Sequence, residues 1–212
     1  MRLLAKCVAG GFMVAALGLV LSSSASVDAK DKVKTKPKVE LKVKVGDSAP
    51  AFESVDENGK PFKSSDVVGK KIVVLYFYPA DFTGGCTAQA CGFRDSIDSL
   101  KNVTVLGVSG DSVETHKLFK AFHKLPFTLL ADGKGDIAKA FGVPFTPGEK
   151  TVVKGGTNEK GEKIDVVRTA TIQRYTVVIG ADGKVAAIDA VTKSAGDDAK
   201  RVAEIIKKLD TK

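Results

Sequence analysis

The chain has 212 residues, 43% of them hydrophobic and 27% charged, with a net charge of +8. This length suits one substantial domain, and both fractions are ordinary for a globular protein. Residues 1–44 carry nine basic and three acidic side chains, whereas the rest of the chain carries 24 basic and 22 acidic ones. The domain itself is therefore nearly neutral, which removes the main support for nucleic-acid binding.

The first 29 residues have the layout of a secretory signal. Two basic residues precede an apolar run over residues 8–21, and small residues follow it. The apolar run is shorter than the roughly 20 residues that a membrane-spanning helix needs, so cleavage after Ala25 or Ala29 is preferred over an uncleaved anchor. Cys7 would leave with the signal. The pattern predicts an exported protein, periplasmic or extracytoplasmic, with no stable membrane span in the mature chain.

Residues 30–44 carry seven lysines against two acidic side chains. Such a run predicts a solvated, flexible tether, and attraction to an anionic membrane face or to cell-wall polymer is the alternative. The folded domain is expected to cover residues 45–212.

The domain begins with short β-like pieces on either side of a turn at 56–61, which predicts a β-hairpin. Three β-branched or apolar runs then predict buried strands, at 71–78, 103–109 and 127–132. Helices are predicted at 85–100, from the capping residue Ser112 through His123, over 135–143 and at 197–209.

Residues 144–163 are rich in Gly, Lys, Thr and Glu and predict an exposed loop. Strands follow over 164–191, with a hairpin turn at 181–184. The order of elements predicts one α/β domain, a central mixed β-sheet flanked by helices with an N-terminal β-hairpin extension. This order is compatible with a thioredoxin-like fold.

Cys86 and Cys91 stand five positions apart on one predicted helix. A zinc site would need His116 and His123 as well, but the spacing fits no common zinc pattern, and solvated helix histidines are the preferred interpretation. A permanent disulfide is awkward, because positions i and i+5 of a helix lie about 8–9 Å apart and a disulfide needs Cα atoms roughly 4.4–6.8 Å apart. Two buried unreactive thiols remain possible, and so does a thiol reaction centre whose helix unwinds locally.

Cys86 falls in the first turn of its helix, directly after Gly84-Gly85. Unpaired N–H groups and the positive end of the helix dipole favour a thiolate there. Thr83 could aim its hydroxyl at the sulfur or simply cap the helix. Pro79 fixes the entry to the loop or merely ends the strand.

The residues around Cys86 resemble an active-site signature of a known protein family. "PADFTGGC" fits Pro-x-x-x-Thr-x-x-Cys, the active-site signature of peroxiredoxins, and "CTAQAC" resembles the peroxiredoxin Q, or bacterioferritin comigratory protein, subgroup. The resemblance extends over about residues 45–209. It implies that Cys86 is the peroxidatic cysteine and Cys91 the resolving cysteine, that Thr83 contacts sulfur and peroxide, and that Pro79 shields the pocket.

The family also uses an arginine on a later strand just before a hairpin. Here the matching stretch is "RYTVVIGADGKV", which selects Arg174, with Arg168 as its competitor. Gln89 matches a position that helps to orient this arginine, although an exposed helix residue is an equal alternative.

The resemblance implies a thiol peroxidase that reduces hydrogen peroxide and organic hydroperoxides. Thr83, Gly85, Cys86 and Arg174 would hold the peroxide, and the redox disulfide would join Cys86 to Cys91. A thioredoxin-like dithiol protein would regenerate the enzyme, a monomer or weak dimer, without metal or other cofactor. The alternatives are an exported thiol–disulfide oxidoreductase, which usually relies on an absent Cys-x-x-Cys, and a non-catalytic thioredoxin-like binding module.

Overall fold

A computed structural model describes residues 41–100, 102–157, 160–191 and 194–210. The predicted signal segment 1–29 lies outside these residues, as does most of the predicted tether 30–44. The few tether residues that are described pack on the domain: Val43 is 5% exposed, and the amide of Lys42 donates to the carbonyl of Phe141 at 3.2 Å. The apolar side chains therefore extend the folded part to at least Leu41, earlier than the predicted start at residue 45.

The described residues form nine strands and four α-helices. The strands are β1 (Glu53–Val55), β2 (Pro61–Lys63), β3 (Ile72–Phe77), β4 (Val103–Ser109), β5 (Thr128–Ala131), β6 (Phe145–Thr157), β7 (Lys163–Ile172), β8 (Tyr175–Ile179) and β9 (Val185–Ala190). The helices are α1 (Gly84–Asp95), α2 (Val113–His123), α3 (Asp136–Phe141) and α4 (Asp198–Asp210). Short 3-10 turns cover Ser64–Asp66, Ile97–Leu100 and Ala195–Asp197.

The central sheet has the strand order β5-β4-β3-β8-β9. β3 is parallel to β4 and antiparallel to β8, so the sheet is mixed, as predicted. Two apolar clusters cover its faces. One contains Leu75 of β3 with Phe141 of α3, and the other contains Tyr76 of β3 with Phe93 of α1 and Val202 of α4. Because side chains alternate along a strand, β3 is buried on both faces, and α1 and α4 share one of them.

The N-terminal hairpin prediction is confirmed, because β1 and β2 pair antiparallel around the turn. The Asp56 carboxylate accepts from the amides of Asn58 and Lys60 within this turn. Gly59 has φ +75°, a conformation that glycine adopts without strain. The predicted cap of α2 is also confirmed, since the Ser112 side chain accepts from the amide of Thr115.

Two predicted elements differ from the structure. The predicted loop 144–163 is wrong over most of its length, because β6 pairs antiparallel with β7 in a separate two-stranded sheet. Its prolines and glycines signal a loop, but the strand pair has register shifts at Pro147/Lys150 and Val152/Gly156, which an antiparallel pair tolerates as bulges. The helix predicted to reach residue 100 ends at Asp95 and continues as the 3-10 turn Ile97–Leu100.

The fold is thioredoxin-like. It brings the carboxyl end of β3, the amino end of α1 and the start of β8 to one place, because β8 pairs with β3 in register Phe77↔Tyr175. Across the described part of the chain, no helix combines the length and apolar character needed to cross a membrane.

Candidate active site

Cys86 is the third residue of α1 and is 1% exposed. The loop Pro79–Thr83 leads into the helix from β3, and Thr83 takes the extended conformation of an N-cap, with φ −94° and ψ 145°. The amides of the first turn have no carbonyl partner within the helix. Cys86 thus lies at the amino end of α1, where the helix dipole is positive.

Thr83 and Pro79 lie in the loop before Cys86, and the hydrogen bond of the Thr83 hydroxyl differs from the predicted contact. The Thr83 hydroxyl donates to the carbonyl of Ala80 at 3.0 Å, and its side chain makes no capping hydrogen bond. In this state the hydroxyl therefore fixes the loop rather than contacting the sulfur. Pro79 lies two residues after the end of β3 and is partly buried.

Arg174 contacts the cysteine directly. Its Nη2 donates to Cys86 Sγ at 3.1 Å, so the guanidinium charge lies against the sulfur. Arg168, the competing arginine, lies in β7, where its backbone bridges to Asp111. The geometry therefore selects Arg174.

Gln89 positions the guanidinium. It is fully buried, and its Oε1 accepts from Arg174 Nη1. Its Nε2 donates to Asp198 Oδ2 at 2.8 Å, and the same oxygen accepts from the Thr176 hydroxyl at 2.6 Å. The orienting role considered for Gln89 agrees with these contacts, and the exposed alternative is wrong. Sequence reasoning missed Asp198 and Thr176, because their pairing with Gln89 depends on the packing of α4 and β8 against α1.

Two glycines of α1 allow close approaches. A Cβ at Gly85 would lie 3.4 Å from Arg174 Nη2, at the limit of ordinary van der Waals contact, so the backbone at Gly85 lies close to the guanidinium. A Cβ at Gly92 would lie 2.6 Å from the carbonyl oxygen of Gly196, which is closer than real Cβ contacts. Gly92 therefore permits α1 to pack against the 3-10 turn that precedes α4.

Cys91 lies in the same helix, half-buried, and both cysteines of the described residues are free thiols. Because α1 is continuous from Gly84 to Asp95, the i, i+5 spacing keeps the two positions about 8–9 Å apart, too far for a bond. Cys91 Sγ lies 4.0 Å from Nδ1 of His123, the last residue of α2.

A buried polar cluster supports the loop before Cys86. His116 Nδ1 lies 2.7 Å from Asp81 Oδ2, and the Tyr78 hydroxyl donates to Asp81 Oδ1 at 2.7 Å. The Asp81 amide donates to Asp111 Oδ2 at 2.9 Å. The prediction that His116 is a solvated helix residue is therefore wrong, since it is fully buried against a carboxylate that the loop supplies. The sequence stretch "PADFT" contained this aspartate, but its partner lies 35 residues away.

The cluster also raises the pKa values of Asp111 and His116. Burial, with the nearby Asp81 carboxylate, raises the pKa of Asp111 to about 6. Burial acts to lower the pKa of His116, but the charge and hydrogen bond of Asp81 outweigh it, so that pKa is raised. The hydrogen-bonded pair of His116 and Asp81 is therefore buried under the loop.

Comparisons with known proteins agree with this geometry. A family model described as the AhpC/TSA family matches residues 45–188. The chain is 43% identical over 143 residues to "Peroxiredoxin Q, chloroplastic" from Sedum lineare, covering 64% of this chain and 76% of that protein. Two solved structures are similar. Peroxidoxin BcpB from Mycobacterium tuberculosis has TM-score 0.64 and 28% identity, with 79% of this chain and 98% of that chain covered. The bacterioferritin comigratory protein of Xanthomonas campestris has TM-score 0.60 and 26% identity, with 80% and 98% covered.

The comparisons correct one prediction. Curated relatives from several plants carry names that place them in the chloroplast, which contradicts the predicted export to a periplasmic or extracytoplasmic compartment. A basic and apolar amino-terminal segment does not by itself identify the compartment to which a protein is sent. The matched family, the signature around Cys86 and the shared fold agree with one another, so this chain belongs to the AhpC/TSA family, in its peroxiredoxin Q and bacterioferritin comigratory protein subgroup.

Proposed function

We propose that Cys86 is the peroxidatic cysteine and Cys91 the resolving cysteine of a thioredoxin-dependent thiol peroxidase. The observation that carries this assignment is the hydrogen bond from Arg174 Nη2 to Cys86 Sγ at the amino end of α1. A thiolate there has two sources of stabilisation, the guanidinium charge and the helix terminus. The thiolate is the nucleophilic form that attack on a peroxide requires.

The first step is attack of the Cys86 thiolate on one peroxide oxygen. An S–O bond forms and the O–O bond breaks, so Cys86 becomes a sulfenic acid and the other oxygen leaves as an alkoxide or hydroxide that takes up a proton. Arg174 and the free amides of Gly85 and Cys86 stabilise the negative charge that develops on the departing oxygen. The Thr83 hydroxyl joins them when it turns from Ala80 toward bound peroxide.

The second step needs a change of conformation. The two cysteines can bond only when α1 unwinds locally, which also breaks the contacts of Gln89 with Arg174 and Asp198. Cys91 then attacks the Cys86 sulfenic acid, a disulfide forms and water leaves. A thioredoxin-like dithiol protein reduces the disulfide by exchange, and both thiols return.

Two further features belong to the proposal. We infer that the substrates are hydrogen peroxide and organic hydroperoxides, since a similar solved protein is named for alkyl peroxide reduction. Cys86, Cys91, Arg174 and Gln89 all come from one chain, so a monomer or weak dimer would be competent. Sedimentation at several protein concentrations tests the oligomeric state.

The decisive experiment uses single cysteine variants. Cys86→Ser should abolish peroxidase activity, whereas Cys91→Ser should consume about one peroxide per chain and then stop, because its sulfenic acid cannot be resolved. Intact-mass analysis after one equivalent of peroxide should show the loss of two hydrogens only in the wild-type chain. Full multiple turnover by Cys86→Ser would overturn the assignment, and an insulin-reduction assay run beside it measures the competing disulfide-exchange activity.

A further inference from the structure

The surroundings of Cys91 contain a titratable side chain that the mechanism above does not use. His123 ends α2, and its Nδ1 lies 4.0 Å from Cys91 Sγ, within the range of hydrogen bonds that involve sulfur. Cys91 is half-buried on the side of α1 that faces α2. The proposed resolving thiol therefore has a nitrogen acceptor in reach while α1 is still folded.

The imidazole of His123 is held in place on several sides. The ring of Phe119 packs edge-on against it at 4.8 Å between centroids, and that of Phe122 does so at 4.9 Å. Phe82, from the loop that precedes Cys86, lies 6.0 Å away. Arg94 Nη1 donates to the carbonyl of His123 at 2.7 Å. Since Arg94 follows Cys91 in the same helix, this bond fixes the distance between α1 and the end of α2.

The charges around His123 set its protonation state. Burial lowers its pKa, and the guanidinium of Arg94 lowers it further, while the Asp81 carboxylate acts in the opposite direction. The packed rings of Phe82, Phe119 and Phe122 carry no charge. The imidazole is therefore neutral near pH 7 and keeps one ring nitrogen free to accept a proton.

We propose that His123 is the general base for Cys91, a catalytic residue of the resolving step. This inference rests on the proposed roles of Cys86 and Cys91. His123 Nδ1 accepts the Cys91 thiol proton in the folded helix, and the adjacent Arg94 guanidinium stabilises the thiolate that results. The thiolate is the species that attacks the sulfenic acid once α1 unwinds.

The step balances without another reactant. The Cys91 sulfur forms the S–S bond while the S–O bond of the Cys86 sulfenic acid breaks. The hydroxide leaves as water after taking a proton from solvent, and the imidazolium of His123 returns its proton to solvent. One thiol and one sulfenic acid thus give one disulfide and one water, and His123 is regenerated.

The test separates the two chemical steps in the full-length chain. The protein contains no tryptophan, so rapid quenching with intact-mass analysis is the appropriate method. Gain of one oxygen reports oxidation of Cys86, and the later loss of that oxygen with two hydrogens reports disulfide formation. His123→Gln should leave the first rate unchanged and slow the second by about tenfold or more, as for other general bases. Phe122→Leu, which alters the same ring cluster without removing a base, is the matched control.

The pH profile gives a second readout, which a packing role would not move. In the wild-type chain the second rate should fall as the pH drops through the lowered pKa of His123, because the imidazolium cannot accept a proton. This inflection should be absent in His123→Gln. An unchanged profile in that variant, an equal loss in Phe122→Leu, or a wild-type profile without the inflection would overturn the proposal. Failure of the proposed function looks different, since wild-type Cys86 would then gain no oxygen.

Discussion

Gln89 Nε2 on α1 donates to Asp198 Oδ2 on α4 at 2.8 Å, although the two residues are 109 positions apart in the chain. Both side chains are buried, and Gln89 also accepts from Arg174. Asp198 therefore affects two properties of the site at once, the orientation of the guanidinium against Cys86 and the stability of the helix that must unwind.

Asp198→Asn tests this relationship. The variant keeps the shape of the side chain but places an amide among donors from Gln89, Thr176 and Arg201, so at least one of these hydrogen bonds is lost. A hydrogen bond to a charged group contributes about 1.5–3 kcal/mol, so the rate of Cys86 oxidation should fall about tenfold. The measurement is the rate of oxygen gain by mass after mixing with peroxide. Asp197→Asn, at the exposed neighbouring position, is the control, and equal rates in the two variants would contradict the role of Asp198.

Gly92→Ala should weaken the packing of α1. The added Cβ would lie 2.6 Å from the backbone oxygen of Gly196, so one of the two elements must move. Overpacking of this kind costs about 1–3 kcal/mol in the free energy of unfolding. Because the folded form of α1 is the one destabilised, the disulfide should form faster, and less Cys86 should reach the sulfinic acid under excess peroxide.

The control for Gly92→Ala is Gly84→Ala in the same helix. A Cβ at Gly84 meets no described heavy atom within 4 Å. Denaturant unfolding and the rate of disulfide formation should therefore change little there. Alanine favours a helix over glycine, so helix propensity cannot lower the stability of either variant. A loss of stability at Gly84 as large as at Gly92 would therefore contradict the assignment of the effect to the contact with Gly196.

The sequence predicts the central strands and helices well because their patterns are local. The β-branched run at 71–78 and the cap at Ser112 depend on residues next to one another, and both are present in the structure. The hairpin of β6 and β7 was missed, because its glycines and proline resemble loop chemistry and only the partner strand reveals the pairing.

The candidate site likewise contains residues that a local motif predicts and contacts that only the folded chain reveals. Cys86, Cys91 and Thr83 follow from one short motif. Arg174 follows from the resemblance, and its contact with the sulfur could be tested only once β8 was placed beside β3. His116 is buried against Asp81, which lies 35 residues earlier and meets it only in the folded chain. Such long-range polar pairs leave no periodic signal in a sequence.

Arg174→Gln should slow Cys86 oxidation strongly. The variant removes the charge 3.1 Å from the sulfur and the donor that stabilises the departing oxygen. Loss of one such donor costs about 10²–10³ in rate in other enzymes. Arg168→Gln is the matched control, because that arginine lies in β7 and its Nε is buried without a hydrogen-bond partner among the described residues. We expect Arg168→Gln to change the unfolding midpoint more than the oxidation rate, and the reverse order would contradict the assignment of Arg174.

Asp111→Asn should change how stability depends on pH. The pKa of Asp111 is raised from 3.8 to about 6 in the folded chain by burial and by Asp81. Between about pH 4 and pH 6 the folded chain therefore keeps a proton that the unfolded chain has lost, so this contribution to stability is present below about pH 4 and is lost as the pH rises to about 6. A shift of this size corresponds to about 3 kcal/mol. Denaturant unfolding across this range should show a smaller decline in the free energy of unfolding with rising pH in Asp111→Asn than in wild type.

The control is Asp98→Asn, at an exposed position, whose free energy of unfolding should depend on pH as in wild type. If the free energy of unfolding of Asp111→Asn depended on pH in the same way as that of wild type, the pKa of the Asp111 carboxyl would not be raised by folding. That result would contradict the effect of burial on Asp111.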